Sequence, residues 1–225
     1  MTYHSPIWLP PKPSRAESKL PKKSSHHFVG ELTFGEELGQ GQVLAFESFL
    51  EHNVALVAIY TPGVIDIREQ VRVQFVNANG RVGTHYIDFL TTEQGGRRTA
   101  ILVKPLFRAV KPNFRDMAAR VRAAIAPDIA DRLVIATERT LWGGKLERAE
   151  QYHASRFAQP ALDRRVRDAV ENFAGPSTIH DFLSFAEVGP DGFHATLRLI
   201  RFGILTAPIP GVLTMNSMIH REVTP

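Results

Sequence analysis

Apolar residues at Val43, Phe46, Leu50 and Val54 recur at helical spacing and predict a helix over residues 42–52. Glu47 and Glu51, four apart, would share one of its faces. Thr61-Pro62-Gly63 then marks a turn. Val71, Val73 and Phe75 alternate with Arg72 and Gln74, as in a half-buried strand, and residues 77–80 (Asn-Ala-Asn-Gly) supply a turn. Val82, Thr84, Tyr86 and Asp88 share one face of a second strand. Gly95-Gly96 leads into a short β-branched run over 99–103. A turn centred on Gly96 would set Asp88 opposite Lys104, joining the polar ends of two neighbouring strands.

Asn113 can cap a helix reaching Ile125, with Phe114, Met117 and Val121 on its apolar stripe and Arg115, Arg120 and Arg122 away from it, Arg115 and Arg120 being candidate DNA contacts. Residues 132–137 read as a buried strand, so that strand, helix and strand form a βαβ unit in a mixed sheet. From Leu141 the pattern is helical. Pro160 suits a helix start, and Leu162, Val166, Val170 and Phe173 follow it. Ser177 and Thr178 can cap a further helix, Phe193, Leu197, Ile200 and Ile204 mark another, and residues 205–221 fit a small β wing. Two helices across a short turn followed by a β-like tail resemble a winged helix-turn-helix, in which Arg198 and Arg201 would meet phosphates.

Composition narrows the choices. The 225 residues hold 27 Lys and Arg against 23 Asp and Glu, a net charge of +4 that suits a polyanionic partner. With no cysteine, disulfides and thiolate zinc sites are excluded. No apolar run is long enough to span a membrane. Residues 1–27 are rich in Pro, Ser and Lys and lack the apolar stretch of a secretory signal, so a cytoplasmic, nucleoid-associated location is expected. That segment reads as a disordered basic tail able to meet DNA phosphates through Lys22 and Lys23.

The chemistry rests on Glu47, Asp88 and Lys104. A phosphodiesterase needs carboxylates to hold a hard cation such as Mg²⁺ and a positive charge near the attacking water and the phosphate. A helical Glu, a strand-end Asp and a Lys on the next strand provide that set. Other candidates fail on context. Residues 35–41 and 143–145 carry glycines but lack the strand and the Lys-Ser/Thr of a phosphate loop, and His180 with Ser177 or Ser184 lacks a nucleophile elbow.

Four stretches in order, Phe46-Glu-Ser-Phe-Leu-Glu51, Ile65-Asp-Ile-Arg-Glu-Gln70, His85-Tyr-Ile-Asp-Phe89 and Ala100-Ile-Leu-Val-Lys-Pro105, resemble the TnsA-type transposition endonucleases of the PD-(D/E)xK restriction-like superfamily. Ala136-Thr-Glu138 continues the likeness, which spans roughly residues 30–155. The resemblance implies that Glu47 and Asp88 ligate Mg²⁺ or Mn²⁺ and that Lys104 activates water. It implies cleavage of double-stranded DNA at a transposon end beside a DDE transposase subunit and an AAA+ ATPase regulator. Two positions depart from the family: Leu102 stands where relatives carry Glu or Gln, and Ile87 where many carry Pro. Leu102 removes one expected polar ligand.

The expected architecture is therefore α/β, a restriction-endonuclease-like mixed sheet flanked by helices over residues 28–155, then a helical, winged-helix-like C-terminal domain over 156–225. Competing readings are a catalytically degenerate DNA-binding subunit of the same complex and a winged-helix regulator of DNA.

Overall fold

The computed structural model describes residues 9–19, 28–35, 39–173 and 175–221. A hairpin of β1 (Gly30–Phe34) and β2 (Gln42–Phe46) leads into α1 (Phe49–Ile59). The main sheet contains β3 (Val64–Val76), β4 (Val82–Glu93), β5 (Arg98–Val103) and β6 (Arg132–Ala136), in that spatial order. Its pairs are antiparallel except the parallel β5–β6, reached through α2 (Leu106–Ala109) and α3 (Pro112–Ala124). The protein is thus mixed α/β, with a mixed sheet between helices.

The sheet has a core on each face. Val54, Leu56 and Ile59 of α1 pack on Ile67, Phe89, Ile101 and Val103. Ala118 and Val121 of α3 pack on Val71, Val73, Ile87, Ala100 and Leu102. Ile67 and Val71 are four apart and would share a face in a regular strand. They face opposite cores because Gln70 adopts φ +50°, a left-handed conformation that side chains rarely take. The same reversal separates Ile87 from Phe89 on β4. Both strands therefore change face at the position of Gln70 and, across the ladder, Asp88.

Residues 9–19 depart from the expected free tail. They run beside β2 and the edge strand β3: Lys12 bridges Gln42, and Glu17 N–H donates to the Gln70 carbonyl at 3.2 Å. Arg15 donates to both Asp66 oxygens (2.6 and 3.2 Å) and to the Ile67 carbonyl. Glu69 supplies the reason. It is 0% exposed, and it accepts from the Ser14 hydroxyl and from Arg15 N–H. A buried carboxylate needs donors, and this strap brings them.

The C-terminal half comprises α4 (Lys145–Ala154), α5 (Pro160–Glu171), β7 (Ser177–Thr178), α6 (Ile179–Phe185), α7 (Phe193–Arg201), β8 (Leu205–Thr206) and β9 (Met218–Arg221). Its short strands form a sheet in the order β7-β9-β8. Thr178 caps α6 by accepting from Asp181 N–H. Residues of α5, α6, α7 and the strands share one core. No helix among the described residues is long and apolar enough to cross a membrane.

Candidate active site

Glu47 lies between β2 and α1, outside the helix expected to carry it. Ser48 is the reason. It is an extended N-cap whose hydroxyl accepts from Glu51 N–H at 3.1 Å, so the helix starts after it. Glu51 closes the cap: one carboxylate oxygen accepts from Glu47 N–H at 2.8 Å, the other from the Ser48 hydroxyl at 2.9 Å. The helical carboxylate of the site is thus Glu51, buried in the first turn of α1. The Ser48-x-x-Glu51 spacing is the sequence signal that marks this start.

Asp88 stands where the sheet splits. The β4–β5 ladder runs from Thr92 opposite Arg98 to Phe89 opposite Ile101 and ends there. Beyond that point Asp88 takes over as acceptor: its Oδ2 receives the Val103 N–H at 2.7 Å. The register places Asp88 two residues from the expected alignment with Lys104, on a line with Leu102. The strands diverge beside Asp88 at the end of β5, and Asp88 lies behind the cleft that opens there and is not among its lining residues. Glu47, Ser48, Glu51, Lys104 and Arg108 line this cleft of about 310 Å³.

Charge couples these groups. Burial raises the Asp88 carboxyl to about 7; the Glu51 charge adds to the rise, while the Val103 hydrogen bond and Lys104 oppose it. Glu51 is also raised, by burial first; the hydrogen bonds from Glu47 N–H and Ser48 oppose the rise. His85, on β4, is pushed down by burial and then by Lys104, which favours neutral imidazole near this end of the sheet. Lys104 follows β5, donates its backbone N–H to Ala136 at 2.9 Å and holds its ammonium 6.0 Å from the Phe114 ring centre. Neither Arg108 nor His85 was singled out by sequence spacing, since the α2 turn and the strand kink that bring them near are tertiary features.

Leu102 is 1% exposed and packs on α3 with Val121 and Ile87. It contributes only its backbone to the end of β5. Glu93 pairs with Arg97 and Arg132 at the opposite end of β4, so it is no substitute.

The expected DNA-contacting residues separate into groups. Arg115 is exposed on α3, and Arg120 beside it pairs with Asp116 at 2.9 Å. Lys22 and Lys23 lie outside the described residues. Arg198 is 7% exposed and does not reach the surface expected for a phosphate contact. Its guanidinium donates to Asp163 (2.9 Å from Nε) and to the carbonyls of Ser155 (2.6 Å) and Phe157 (2.9 Å). Arg201 lies over the Tyr60 ring at 4.4 Å, between the C-terminal half and α1. The helix α7 is buried from Ala195 to Ile200, so it presents little surface to a groove.

No protein-family model matches the chain. No curated protein matches it either. The functional reading therefore stands on the cleft and its chemistry.

A magnesium or manganese ion, which the resemblance implies, is testable against the donors. The available atoms are carboxylate oxygens, which are the hard ligands magnesium prefers. Glu47 and Glu51 both oppose ionisation of Asp88, a conflict that a cation relieves. Among the described residues no three acidic or imidazole groups cluster as a metal cage. An ion here would rest on one or two carboxylates with water completing its shell, an arrangement magnesium tolerates.

Proposed function

We propose that the chain is a metal-dependent DNA endonuclease of restriction-like architecture, working from the cleft between α1 and the split end of β4 and β5. The observation that carries this reading is Asp88, a carboxylate within β4 coupled to Glu51 and Lys104 at the point where the β4–β5 ladder ends. Bound magnesium or manganese supplies a hard Lewis acid that offsets phosphate charge and acidifies water.

The residues divide the work. Lys104 and Arg108 line the cleft, and their positive charge attracts a phosphate. Asp88 keeps Oδ2 on the Val103 N–H, which fixes the carboxylate and leaves Oδ1 to take the proton of attacking water. Water oxygen bonds to phosphorus as the P–O3′ bond breaks, and the leaving oxygen takes up a proton to become a 3′-hydroxyl. Glu51 is locked by Ser48 and Glu47 N–H, so its position costs no further ordering. Glu51 takes the ligand role first given to Glu47, which lines the cleft beside it.

The C-terminal order of helix, strand, two helices and two strands, with the first strand paired to the last, supports a winged-helix assignment. Its buried α7 favours partner docking over groove reading. The resemblance makes a DDE transposase and an AAA+ ATPase the partner classes to test.

Calorimetric titration with Mn²⁺ and Mg²⁺ tests the site. Saturable binding by the wild type, lost in Asp88→Ala and weakened in Glu51→Ala, is expected. No binding in the wild type, with or without DNA, favours the non-cutting DNA-positioning subunit, a reading supported by the wholly apolar surroundings of Leu102.

A further inference from the structure

An aromatic group stands beside the same cleft. Phe28 and Phe49 are 55% and 60% exposed. Both adjoin cleft-lining residues in the chain: Phe28 precedes Val29, and Phe49 lies between Ser48 and Leu50. Their rings are held in place. Phe28 stacks on the buried Phe46, with centroids 5.7 Å apart and planes 15° from parallel. Phe49 meets Phe28 nearly edge-on at 5.4 Å and stacks at 14° on His52. Gly30 makes room for the Phe46 ring, since a Cβ there would approach it to 2.7 Å.

The core needs only Phe46 from this group. The outer two rings are large, ordered and wet, an arrangement unfavourable unless something covers them. Phe28 lies flat on Phe46 and Phe49 flat on His52, while the two outer rings meet at 87°. A flat aromatic partner would therefore stack on one ring and meet the edge of the other, which suits it better than an aliphatic one. Lys104 and Arg108 line the adjoining cleft and attract phosphate. A nucleotide joins both features in one unit. In a duplex the faces of each base are already stacked on their neighbours, so an unpaired base is the one with a face to offer.

We infer that Phe28 and Phe49 form a stacking platform for an unpaired nucleobase of the strand whose phosphate enters the cleft. The inference rests on the reading that this cleft receives a DNA phosphate. It makes the preferred substrate a frayed, tailed or distorted duplex.

The full chain in calcium buffer is titrated with two labelled duplexes of equal length, one blunt and one with a short unpaired tail carrying 2-aminopurine. The wild type is expected to bind the tailed duplex more tightly and to quench the 2-aminopurine. Phe28→Ala is expected to weaken tailed binding by roughly five- to 150-fold, leave blunt binding unchanged, and lose the quenching. Phe28→Tyr is expected to retain both. Equal wild-type affinity for the two duplexes overturns the inference while the nuclease reading stands. So does a preference that survives in both Phe28→Ala and Phe49→Ala. If Phe28→Ala weakens both duplexes alike, the ring is structural and the platform falls. Absence of binding to either duplex overturns both this inference and the DNA reading, whereas loss of Mn²⁺ binding alone leaves the platform intact.

Discussion

Asp88 shows how a single buried carboxyl costs stability. Its value of about 7 lies above the ordinary 3.8, so the folded state holds the proton more tightly than the unfolded chain. Stability is therefore full below about pH 4, falls as pH rises towards 7, and stays low above it. The penalty at about pH 8 is on the order of 4 kcal/mol before any cation binds. Asp88→Asn keeps an acceptor for Val103 N–H and removes the charge. Thermal melts near pH 8 are expected to show this variant several degrees above wild type, with little difference near pH 4. Magnesium should raise the wild-type midpoint near pH 8 and leave the variant unmoved; a variant melting lower than wild type at both pH values would contradict this account. Arg198 illustrates the opposite economy. Replacing it with Met leaves Asp163 and two carbonyls without their donor, and should cost about 3–5 kcal/mol in denaturant melts. Lys lacks the planar fork and should not restore it. A variant that folds normally but loses DNA affinity would instead return Arg198 to the phosphate-contact role.

Among the elements, the strap at residues 9–19 has the least expected role. It supplies both donors to one oxygen of the buried Glu69, pairs with Asp66 and bonds Gln70, the left-handed residue across the ladder from Asp88. Deleting residues 1–19 should therefore destabilise the fold by about 2–4 kcal/mol and weaken Mn²⁺ binding at a distance. Adding Glu69→Leu to the truncated chain should recover part of the stability, since an apolar side chain needs no donors there. Full stability and metal affinity after truncation would show that the strap is dispensable. Sequence periodicity located β4, α5 and α6 by alternation or stripe and β5 and β6 by short apolar runs, but β6, expected to be buried, is an edge strand with Val134 and Ile135 exposed. It failed over residues 42–52, where Val43, Phe46, Leu50 and Val54 are helically spaced by coincidence across a strand, a cap and a helix. The hairpin register was misjudged by two residues because the turn is centred on Gly95, not Gly96. Lys104 was legible at the end of β5, whereas Asp88, expected at a strand end, lies in the middle of β4 where the β4–β5 ladder stops. Glu51 was hidden by the misplaced helix start, and the strap by its polar, proline-rich composition, which resembles a solvated tail until the buried Glu69 is seen.

At the scale of the whole molecule, α4 joins the two halves more closely than a boundary at residue 155 would suggest. Tyr152 packs against the cores of both. Tyr60 of the N-terminal half bonds His153 at 2.9 Å, and Arg201 of α7 lies over the Tyr60 ring. On the other side, Arg148 donates to the Ile209 and Gly211 carbonyls, and Gln151 both donates to and accepts from the Leu213 backbone. Gly144, at φ +75°, lets the 209–213 loop approach so closely that a Cβ would fall 2.2 Å from the Gly211 Cα. Arg198 spans the boundary itself, bonding Ser155 before it and Phe157 after it. A cut between 155 and 156 thus severs a buried guanidinium from its Ser155 acceptor and exposes an apolar face on each fragment. The full chain should unfold in one calorimetric transition with matching calorimetric and van't Hoff enthalpies. Gly144→Val should lower that transition by forcing the loop away, whereas a substitution at the exposed Gly95, where a Cβ meets nothing, should leave it in place. Two well-separated transitions in the wild type would mean that α4 is a tether between independent domains. A single transition would mean that whatever docks on the C-terminal half acts on the same cooperative unit that holds Asp88, which gives a partner a direct mechanical route to the cleft.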